Sequence, residues 1–580
     1  MSFAFYRNAV VALAMFAATA SIVIAQEHDE HIQSNAGACG SFVMESPAEH
    51  ASALENTRLK NPDLYARIKG KSYPRGLKRG LMYDEITFLV RNRVLNELEE
   101  VQGALVYTGP YSRVWVDVRD TNKSTHKPTS TIMQLLFKAL DVAPQSTVHA
   151  PRSASQGILK NDIDVFGNIP LRWIDEDRTD FLLLDIPDKD PRQGNVLGYF
   201  QPLDQLDANE SNKRNLLYID SKEGFAKARD LFAIIAHEFQ HLIHYGRHER
   251  TSSDQVFNEG LSEVASILNG YLFRDNRSYL ANTDVGLFEW DYDSLGAQLT
   301  DYAMAMTFVH YLSEHYGEQL LYELVGAADS NMTRLDNALR AYGLPANYNH
   351  KEVLKGYAVA NWVQSSSNFA YNYKIKLQGG AAKPHEQHTG TTFPASKSRS
   401  LQPYGTYYVH HINPGPMKWR FSGSPDIRVM MIGMRAKDTT ITELMANTEY
   451  TLPIWGFGAN YTRLAFAIIN TGSAVRDANW TASALPSGVE GPVGDAAQLA
   501  IEGIAVYKDG NASIEFTLPV SGVARIDLFD MRGAIVRNVI DDLRQAGSQR
   551  DPLDLSGLAS GTYVARLVHN GKVASQKGKA

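Results

Sequence analysis

The segment from Asp230 to Gly246, DLFAIIAHEFQHLIHYG, constrains the fold more than any other part of the sequence. Its apolar residues recur at helical spacing, which predicts an amphipathic helix that begins at Asp230 and ends at Gly246. The predicted buried stripe of this helix consists of Leu231, Ile234, Ile235, Phe239 and Leu242. A stripe of this length must pack against other elements, so we expect a globular domain around this helix.

Two histidines in this helix, His237 and His241, lie four residues apart. This spacing puts both imidazoles on one helix face, one turn apart, where they can reach a single zinc ion. Glu238 lies about 100° round the helix from His237. It is therefore near the metal without being a ligand, and it can take a proton from water there. Chance also produces two histidines at helical spacing, so this pattern alone is only suggestive.

A second apolar helix is predicted to begin at the sequence Asn258-Glu259-Gly260-Leu261-Ser262-Glu263. Catalytic zinc usually takes three protein ligands and keeps one open position, and Glu259 is the natural third ligand. Glu263, one turn further on, is placed to accept the other ring N–H of His237 or His241. The alternative is that both glutamates lie on an ordinary solvated helix face. The chain has one cysteine, Cys39, so a cysteine-rich zinc site and an intramolecular disulfide are excluded.

The run HEFQHLIHYGRH followed by FNEGLSE resembles the gluzincin metallopeptidases, and most closely the hyicolysin and immune inhibitor A type of secreted peptidase. The resemblance covers roughly residues 83–379 and is specific around residues 236–263. By position, it implies His237, His241 and Glu259 as the ligands of one zinc ion and Glu238 as the general base. It also implies that Glu263 is the acidic residue behind the ligands.

Two competing motifs fit less well. A metzincin would have Gly at position 244 and a third His at 247, where this chain has His244 and Arg247. His244 is therefore expected to be a core residue or a neighbour of the ligands. The closest approach to a serine-hydrolase G-x-S-x-G, at residues 260–264, ends in Val264 instead of Gly.

The predicted function is that of a secreted zinc metalloendopeptidase, in which zinc-activated water attacks the peptide bond and Glu238 is the general base. Tyr302 is the candidate hydrogen-bond donor to the oxyanion, although a packing role is equally compatible with its position. The alternatives are a surface adhesin or binding protein of the same fold with a non-catalytic zinc, or a zinc hydrolase that acts on another bond. Polypeptides are the expected substrates.

The N-terminus, MSFAFYRNAVVALAMFAATASIVIAQ, is typical of a secretory signal peptide cleaved after Ala25. The alternative is an uncleaved anchor, although the apolar run is short for a membrane span. Residues 26–80 are polar, and basic residues from Arg58 to Arg79 favour either a propeptide cut near Arg79 or a solvated linker. The mature protein is expected to have no transmembrane segment and to be secreted or held at the cell surface.

The predicted fold is an α+β zinc metallopeptidase domain (residues 81–380) of zincin-like type, followed by β-sandwich-like modules. Within it, ITFLVRNRVLNELEEV (residues 86–101) predicts a strand followed by a helix. ALVYTGPYSRVWVDVRD predicts two strands joined across Gly109-Pro110, and FLLLDI and NVLGYF predict two more. Helices are expected from Ala226 to Val363. A β-rich module follows over residues 390–482, and then a linker over 483–499.

Residues 500–580 alternate with period two between glycine turns, which predicts a small β-sandwich. The pieces FTLP, LFD and LASGTY resemble the C-terminal sorting domain of the type IX secretion system. That resemblance implies the type IX machinery as a partner. A carbohydrate- or protein-binding module is the alternative for this region.

Charge and acidic composition bear on other partners. The chain has 57 Lys and Arg against 64 Asp and Glu, a net charge of −7, so no nucleic acid partner is expected. Acidic runs at residues 162–164, 175–180, 185–190 and 204–210 predict either calcium sites or solvated loops.

Overall fold

The structure of the chain is a computed structural model. The structure describes residues 38–39, 47–70, 78–79, 84–173, 177–187, 196–226, 228–247, 254–272, 274–291, 294–364, 371, 373–376, 378–390, 396–414, 417–435, 438–452, 462–484, 499–506, 512–519, 522–530, 535–544, 547–559, 561–569 and 572–579. The predicted signal peptide at residues 1–25, most of the predicted linker and the turn at residues 188–190 lie outside these residues.

The chain divides into two compact units, one formed by residues 1–276 and 290–347 and the other by residues 277–289 and 348–580. The second unit therefore takes in two segments, 277–289 and 348–380, that the sequence placed in the metallopeptidase domain. The predicted domain boundaries stay a prediction. Among the described residues, none of the helices has the length and apolar character needed to cross a bilayer.

A mixed eight-stranded sheet forms the framework of the first unit, with strand order β1-β7-β8-β6-β5-β4-β3-β2. Strands β8, β6 and β5 are parallel to one another, and β7 runs antiparallel to β8. The strands are β1 (Ala38–Cys39), β2 (Lys78–Arg79), β3 (Asp84–Asn92), β4 (Glu97–Thr108), β5 (Ser112–Asp117), β6 (Thr179–Leu184), β7 (Val196–Phe200) and β8 (Leu216–Asp220).

The helix predicted near Leu95–Val101 is wrong, because these residues turn back and form β4 beside β3. Their glutamates and leucines favour a helix, which would put Leu98 and Val101 on one face. In the strand the two side chains point to opposite faces, and each enters a different core cluster. The turn passes through Asn96 with a φ of 51°, a conformation that asparagine tolerates better than most residues. Tertiary pairing thus overrides local propensity here.

Four helices precede or interrupt the strands of this sheet, and beyond β8 the first unit is helical, as the sequence predicted; there the HEFQH segment forms a helix of 20 residues. The stripe residues Leu231, Ile234, Ile235, Phe239 and Leu242 are all buried. The helices are α1 (Pro47–Lys60), α2 (Pro62–Lys69), α3 (Thr131–Asp141), α4 (Ile158–Phe166), α5 (Glu223–Ala226), α6 (Ala228–Arg247), α7 (Gln255–Leu268), α8 (Arg277–Ala281), α9 (Leu295–Tyr316), α10 (Glu318–Gly326), α11 (Asn331–Ala341) and α12 (His350–Val363).

The helical hairpin α1–α2, from the predicted propeptide, packs on the outer strands of the sheet. Leu64 and Ile68 are buried against Leu89 and Leu98 in a small apolar cluster. The Thr57 hydroxyl accepts a hydrogen bond from the Leu98 N–H at 2.8 Å. This segment therefore has a core of its own with the sheet, which a solvated linker would lack.

The second unit contains, after the helices α8 and α12, a two-sheet β module whose inner faces share one apolar core, which includes Trp419, Phe466 and Trp480. The sheets have the orders β10-β17-β12-β15 and β14-β13-β16-β11-β9. Their strands are β9 (Glu386–Thr389), β10 (Lys397–Leu401), β11 (Thr406–Ile412), β12 (Met417–Gly423), β13 (Ile427–Arg435), β14 (Asp438–Leu444), β15 (Tyr450–Leu452), β16 (Arg463–Asn470) and β17 (Arg476–Ala484). This arrangement is that of a β-sandwich.

The C-terminal residues form a smaller pair of sheets, with orders β18-β19-β22 and β21-β20-β23-β24. Phe516 and Leu518 from one sheet and Ile526 and Leu567 from the other meet in one core. The strands are β18 (Ala500–Val506), β19 (Ala512–Leu518), β20 (Gly522–Phe529), β21 (Ile535–Arg544), β22 (Gly547–Pro552), β23 (Thr562–His569) and β24 (Lys572–Lys579). The mixed α and β content of the whole chain agrees with the predicted class.

Candidate metal centre

Two consecutive helices, α6 and α7, carry the predicted site residues. His237, Glu238 and His241 lie on α6, and Glu259 and Glu263 lie on α7; all five side chains are at most 3% exposed. Polar side chains lock the two helices together: the Ser266 hydroxyl donates to the Ala233 carbonyl at 2.7 Å, and the Ser262 hydroxyl donates to Gln240 Oε1 at 2.5 Å. Each helix therefore presents its site residues in a fixed register to the other.

The predicted ligands His237, His241 and Glu259 converge on one point. His237 Nε2 and His241 Nε2 are 3.1 Å apart, and Glu259 Oε2 lies 3.3 Å from the first and 3.4 Å from the second. Bonds of about 2.0–2.1 Å at tetrahedral angles place neighbouring ligand atoms about 3.3–3.4 Å apart. The triangle of donor atoms thus has the size that a zinc ion requires. Among the described residues, this is the one group of three or more such side chains that could hold a metal.

The Glu259 carboxylate also fits a metal ligand in its protonation state. It is fully buried, and among the described residues neither of its oxygens receives a hydrogen bond of ordinary geometry. Burial by itself raises its pKa, but the adjacent His241 and His237 rings outweigh burial and lower the pKa of Glu259 to about 2. The carboxylate is therefore ionised at neutral pH, which is the form that binds zinc.

The opposite ring nitrogens of both histidines face oxygen atoms. His237 Nδ1 lies 3.5 Å from Glu263 Oε1. His241 Nδ1 lies 3.2 Å from Asn258 Oδ1 and 3.1 Å from the Ser262 hydroxyl. Protonation of each Nδ1 leaves the Nε2 lone pair directed at the point shared with Glu259. Glu263 thus lies beside His237, one of the two rings that the sequence allowed.

A backbone N–H of the sheet holds the Glu238 carboxylate in place. The backbone N–H of Phe200, the last residue of β7, donates to Glu238 Oε2 at 3.0 Å. This bond ties the carboxylate next to His237 to the edge region of the sheet. Nothing in the sequence around Phe200 indicated this contact, because a backbone donor leaves no signature in residue type.

Tyr302, the candidate oxyanion donor, lies on α9 and is buried. Its ring centroid is 4.3 Å from the guanidinium carbon of Arg274 and packs edge-to-face on Trp290. Arg274 in turn donates from Nε to Glu263 Oε1 at 2.7 Å. The Tyr302 ring thus packs on the arginine that binds Glu263, and the role of its hydroxyl stays a prediction.

His244, one turn beyond His241, belongs to a separate buried network. Its Nε2 lies 2.6 Å from Arg334 Nη2, so the ring accepts a hydrogen bond and is neutral. Arg334 also donates to the Leu324 carbonyl and lies 3.9 Å from Asp254, the residue before α7. His244 therefore has the core role expected from the sequence.

Two carboxylates from the acidic runs considered for calcium, those of Asp180 and Asp204, are used within the fold. Asp180 pairs with Arg113 and Arg214. Asp204 accepts hydrogen bonds from Asn212 and Tyr218. These contacts satisfy the carboxylates without an ion, so the structure gives the calcium interpretation no support.

Comparison with known protein families bears on the C-terminal part of this chain. Residues 508–578 match the family model of the Secretion system C-terminal sorting domain. Residues 508–578 therefore form a sorting domain of this kind. That finding confirms the predicted resemblance to the type IX sorting domain, and a tail of this kind implies a secreted or cell-surface protein.

The chain also resembles a curated relative, the Neutral metalloprotease ShpI of Staphylococcus hyicus, with 22% identity over 287 residues. The match covers 46% of this chain and 60% of the relative. A periplasmic inhibitor of g-type lysozyme from Salmonella Typhimurium, PliG, matches at 16% identity and a TM-score of 0.13 over 17% of this chain and 99% of its own. The Endo-D glycoside hydrolase domain from Streptococcus pneumoniae matches at 9% identity and a TM-score of 0.12 over 32% of each chain. These TM-scores are too low to support a shared fold.

Proposed function

We propose that this protein is a secreted zinc metalloendopeptidase that hydrolyses peptide bonds of extracellular proteins. The observation that carries the proposal is the buried triangle of His237, His241 and Glu259 with Glu238 next to it on the same helix. The distant similarity to a neutral metalloprotease supports it. A structural zinc more often has four protein ligands, and the described part of the chain supplies three. This favours hydrolysis over the adhesin alternative.

In the proposed reaction, His237, His241 and Glu259 hold one zinc ion. A bound zinc ion supplies Lewis-acid chemistry, polarising the peptide carbonyl and making water more acidic. Glu238 takes a proton from the attacking water as the C–O bond forms, and it then delivers this proton to the leaving nitrogen as the C–N bond breaks. The Phe200 N–H keeps Glu238 from rotating away. Tyr302 is proposed to donate a hydrogen bond to the oxyanion.

We also propose that residues 26–80 are a propeptide that keeps the enzyme latent. Strand β1 pairs in parallel with β7, with Cys39 opposite Gly198, two residues before Phe200. The N-terminal segment thus occupies the edge of the strand that holds Glu238. Helix α2 anchors the segment through the ion pairs Lys69–Glu210 at 2.5 Å and Arg67–Glu100 at 2.8 Å. Cleavage near Arg79 would free this edge for an extended substrate.

Export is proposed to use both ends of the chain. The signal peptide is removed after Ala25, and the type IX machinery recognises the C-terminal sorting domain at residues 500–580. Residues 483–499 are the linker that separates this domain from the β module. Deletion of residues 503–580 should retain the protein in the cell, and unchanged export would contradict this part of the proposal.

The test combines zinc quantification with casein cleavage, with and without 1,10-phenanthroline. Glu238→Gln should retain stoichiometric zinc. Its activity should fall at least about a thousandfold, because the variant lacks both the general base and the negative charge of the carboxylate. Glu259→Ala should lose zinc. Glu318→Gln is the matched control, because Glu318 is 45% exposed and pairs with Arg152 at the surface. Full activity in Glu238→Gln refutes Glu238 as the general base. If the wild-type protein binds zinc but does not cleave casein, the result supports the adhesin alternative.

A further inference from the structure

Arg274 is a buried cation directly behind the candidate metal centre. Its side chain is 2% exposed, although burial of a guanidinium is unfavourable unless an anion compensates it. It lies outside α7, eleven residues after Glu263, and no motif in the sequence marks it. A buried arginine at this position therefore calls for an explanation from its contacts.

The contacts of Arg274 lead to His237 through a single atom. Arg274 Nε donates to Glu263 Oε1 at 2.7 Å, and the same oxygen lies 3.5 Å from His237 Nδ1. The opposite nitrogen of that ring, Nε2, faces Glu259 and His241. One carboxylate oxygen thus lies beside both the guanidinium, which donates to it, and the imidazole Nδ1, which is 3.5 Å away.

The guanidinium is itself fixed from the other side. Its central carbon lies 4.3 Å from the centre of the Tyr302 ring, within the range of a cation–π contact. Trp290 packs edge-to-face on Tyr302 with ring centroids 5.2 Å apart. These aromatic rings confine Arg274, so the donor to Glu263 has little freedom to move.

We propose that Arg274 is a positioning residue for the metal centre: it holds Glu263 where the carboxylate orients His237 toward the ion. This inference rests on the proposed function, because it needs a metal at the His237–His241–Glu259 triangle. Arginine suits the task better than lysine, since its planar group donates from Nε while its face packs on an aromatic ring. Partners of this kind behind a ligand commonly contribute about 10–100-fold to metal affinity.

The test measures the zinc affinity of the apoprotein by competition with a chromogenic chelator. Arg274→Gln should bind zinc about 10–100-fold more weakly than the wild type, and Arg274→Lys should recover part of the loss. Arg334→Gln is the matched control, because Arg334 is also a buried arginine on an aromatic face but contacts His244 instead of Glu263. It should lower the melting temperature without changing zinc affinity by more than about threefold.

A double-mutant comparison separates positioning from a general effect on folding. If Arg274 acts through Glu263, then Arg274→Lys should add little to the loss already caused by Glu263→Gln; independent effects would multiply instead. Multiplicative losses, or wild-type zinc affinity in both Arg274 variants, overturn the inference. If Arg274→Gln does not fold, the zinc affinities of Arg274→Lys and of the double variant Arg274→Lys/Glu263→Gln decide between the two outcomes. Wild-type protein that binds zinc but cleaves nothing refutes only the proposed activity, and wild-type protein that binds no zinc overturns both.

Discussion

Gly260, the residue after Glu259, allows α7 and α9 to approach each other closely. An alanine Cβ at this position would lie 2.5 Å from Val309 Cγ2 and 2.7 Å from the Ala305 carbonyl oxygen, both on α9. Carbon atoms in a packed core normally lie about 3.5–4.0 Å apart. The two helices must therefore separate by roughly 1 Å at this point to accept Gly260→Ala.

The magnitude follows from two opposing effects. Overpacking a core by a methyl group costs roughly 1–3 kcal/mol, whereas Gly→Ala within a helix gains about 0.8–1 kcal/mol of propensity. The expected net effect is a loss of about 1 kcal/mol, which corresponds to a fall of about 1–2 °C in melting temperature for a unit of roughly 300 residues. Glu259 moves with α7, and a shift of even half the separation exceeds the tolerance of about 0.2 Å on zinc–ligand distances.

The assay compares thermal unfolding and chelator-competition zinc affinity for the wild type, Gly260→Ala and Gly296→Ala. Gly296 lies on α9 with nothing within 4 Å of an added Cβ, so its alanine variant should match or exceed the stability of the wild type. Gly260→Ala should melt lower and bind zinc at least about tenfold more weakly. A raised melting temperature together with unchanged zinc affinity would refute the close-packing argument, because helix propensity alone would then explain the variant.

Three further predictions address other parts of the chain. Asn258→Ala should weaken zinc binding by about tenfold, because His241 Nδ1 loses an acceptor at 3.2 Å; unchanged affinity would assign that role to Ser262. Burial lowers the pKa of His385 to about 4, and its Nδ1 accepts from the Tyr408 N–H, so the folded state holds it neutral. The contribution of His385 to stability should therefore be fully present above pH 6.5 and should be lost as the pH drops toward 4. His385→Gln should flatten this part of the profile of melting temperature against pH. Ala38→Pro should raise precursor activity on small peptides if β1 blocks the β7 edge, whereas Cys39→Ser, which keeps the strand, should not.

Local pattern was sufficient to predict the central helices. The apolar stripe of α6 and the four-residue histidine spacing depend on helix periodicity alone, and the structure has that helix within two residues of the expected start. Glu259 could be chosen because its helix follows closely and zinc needs a third ligand. The same local reasoning was wrong for Leu98 and Val101, where strand pairing with β3 overrides a helix-favouring composition.

The contacts that orient the site could not be predicted in this way, because they join residues far apart in the chain. The Phe200 N–H reaches Glu238 across 38 residues, and Arg274 reaches Glu263 from beyond the end of α7. Gly260 matters only because α9 packs against it. Each of these depends on tertiary placement, for which a single sequence carries no periodic signal.

The identity of the proposed ligands thus follows from local sequence pattern, whereas their geometry follows from tertiary contacts. The two therefore call for different experiments. Removal of His237, His241 or Glu259 is expected to abolish metal binding whether the ion is catalytic or structural, so these variants cannot separate the peptidase from the adhesin. A structural ion needs the triangle but has no use for a carboxylate beside it that is buried at 0% exposure and held by a backbone N–H. Burying a carboxyl group such as that of Glu238 is unfavourable for folding. Its presence there is best explained by chemistry, and a variant that keeps zinc while losing Glu238 is the one that distinguishes the two functions.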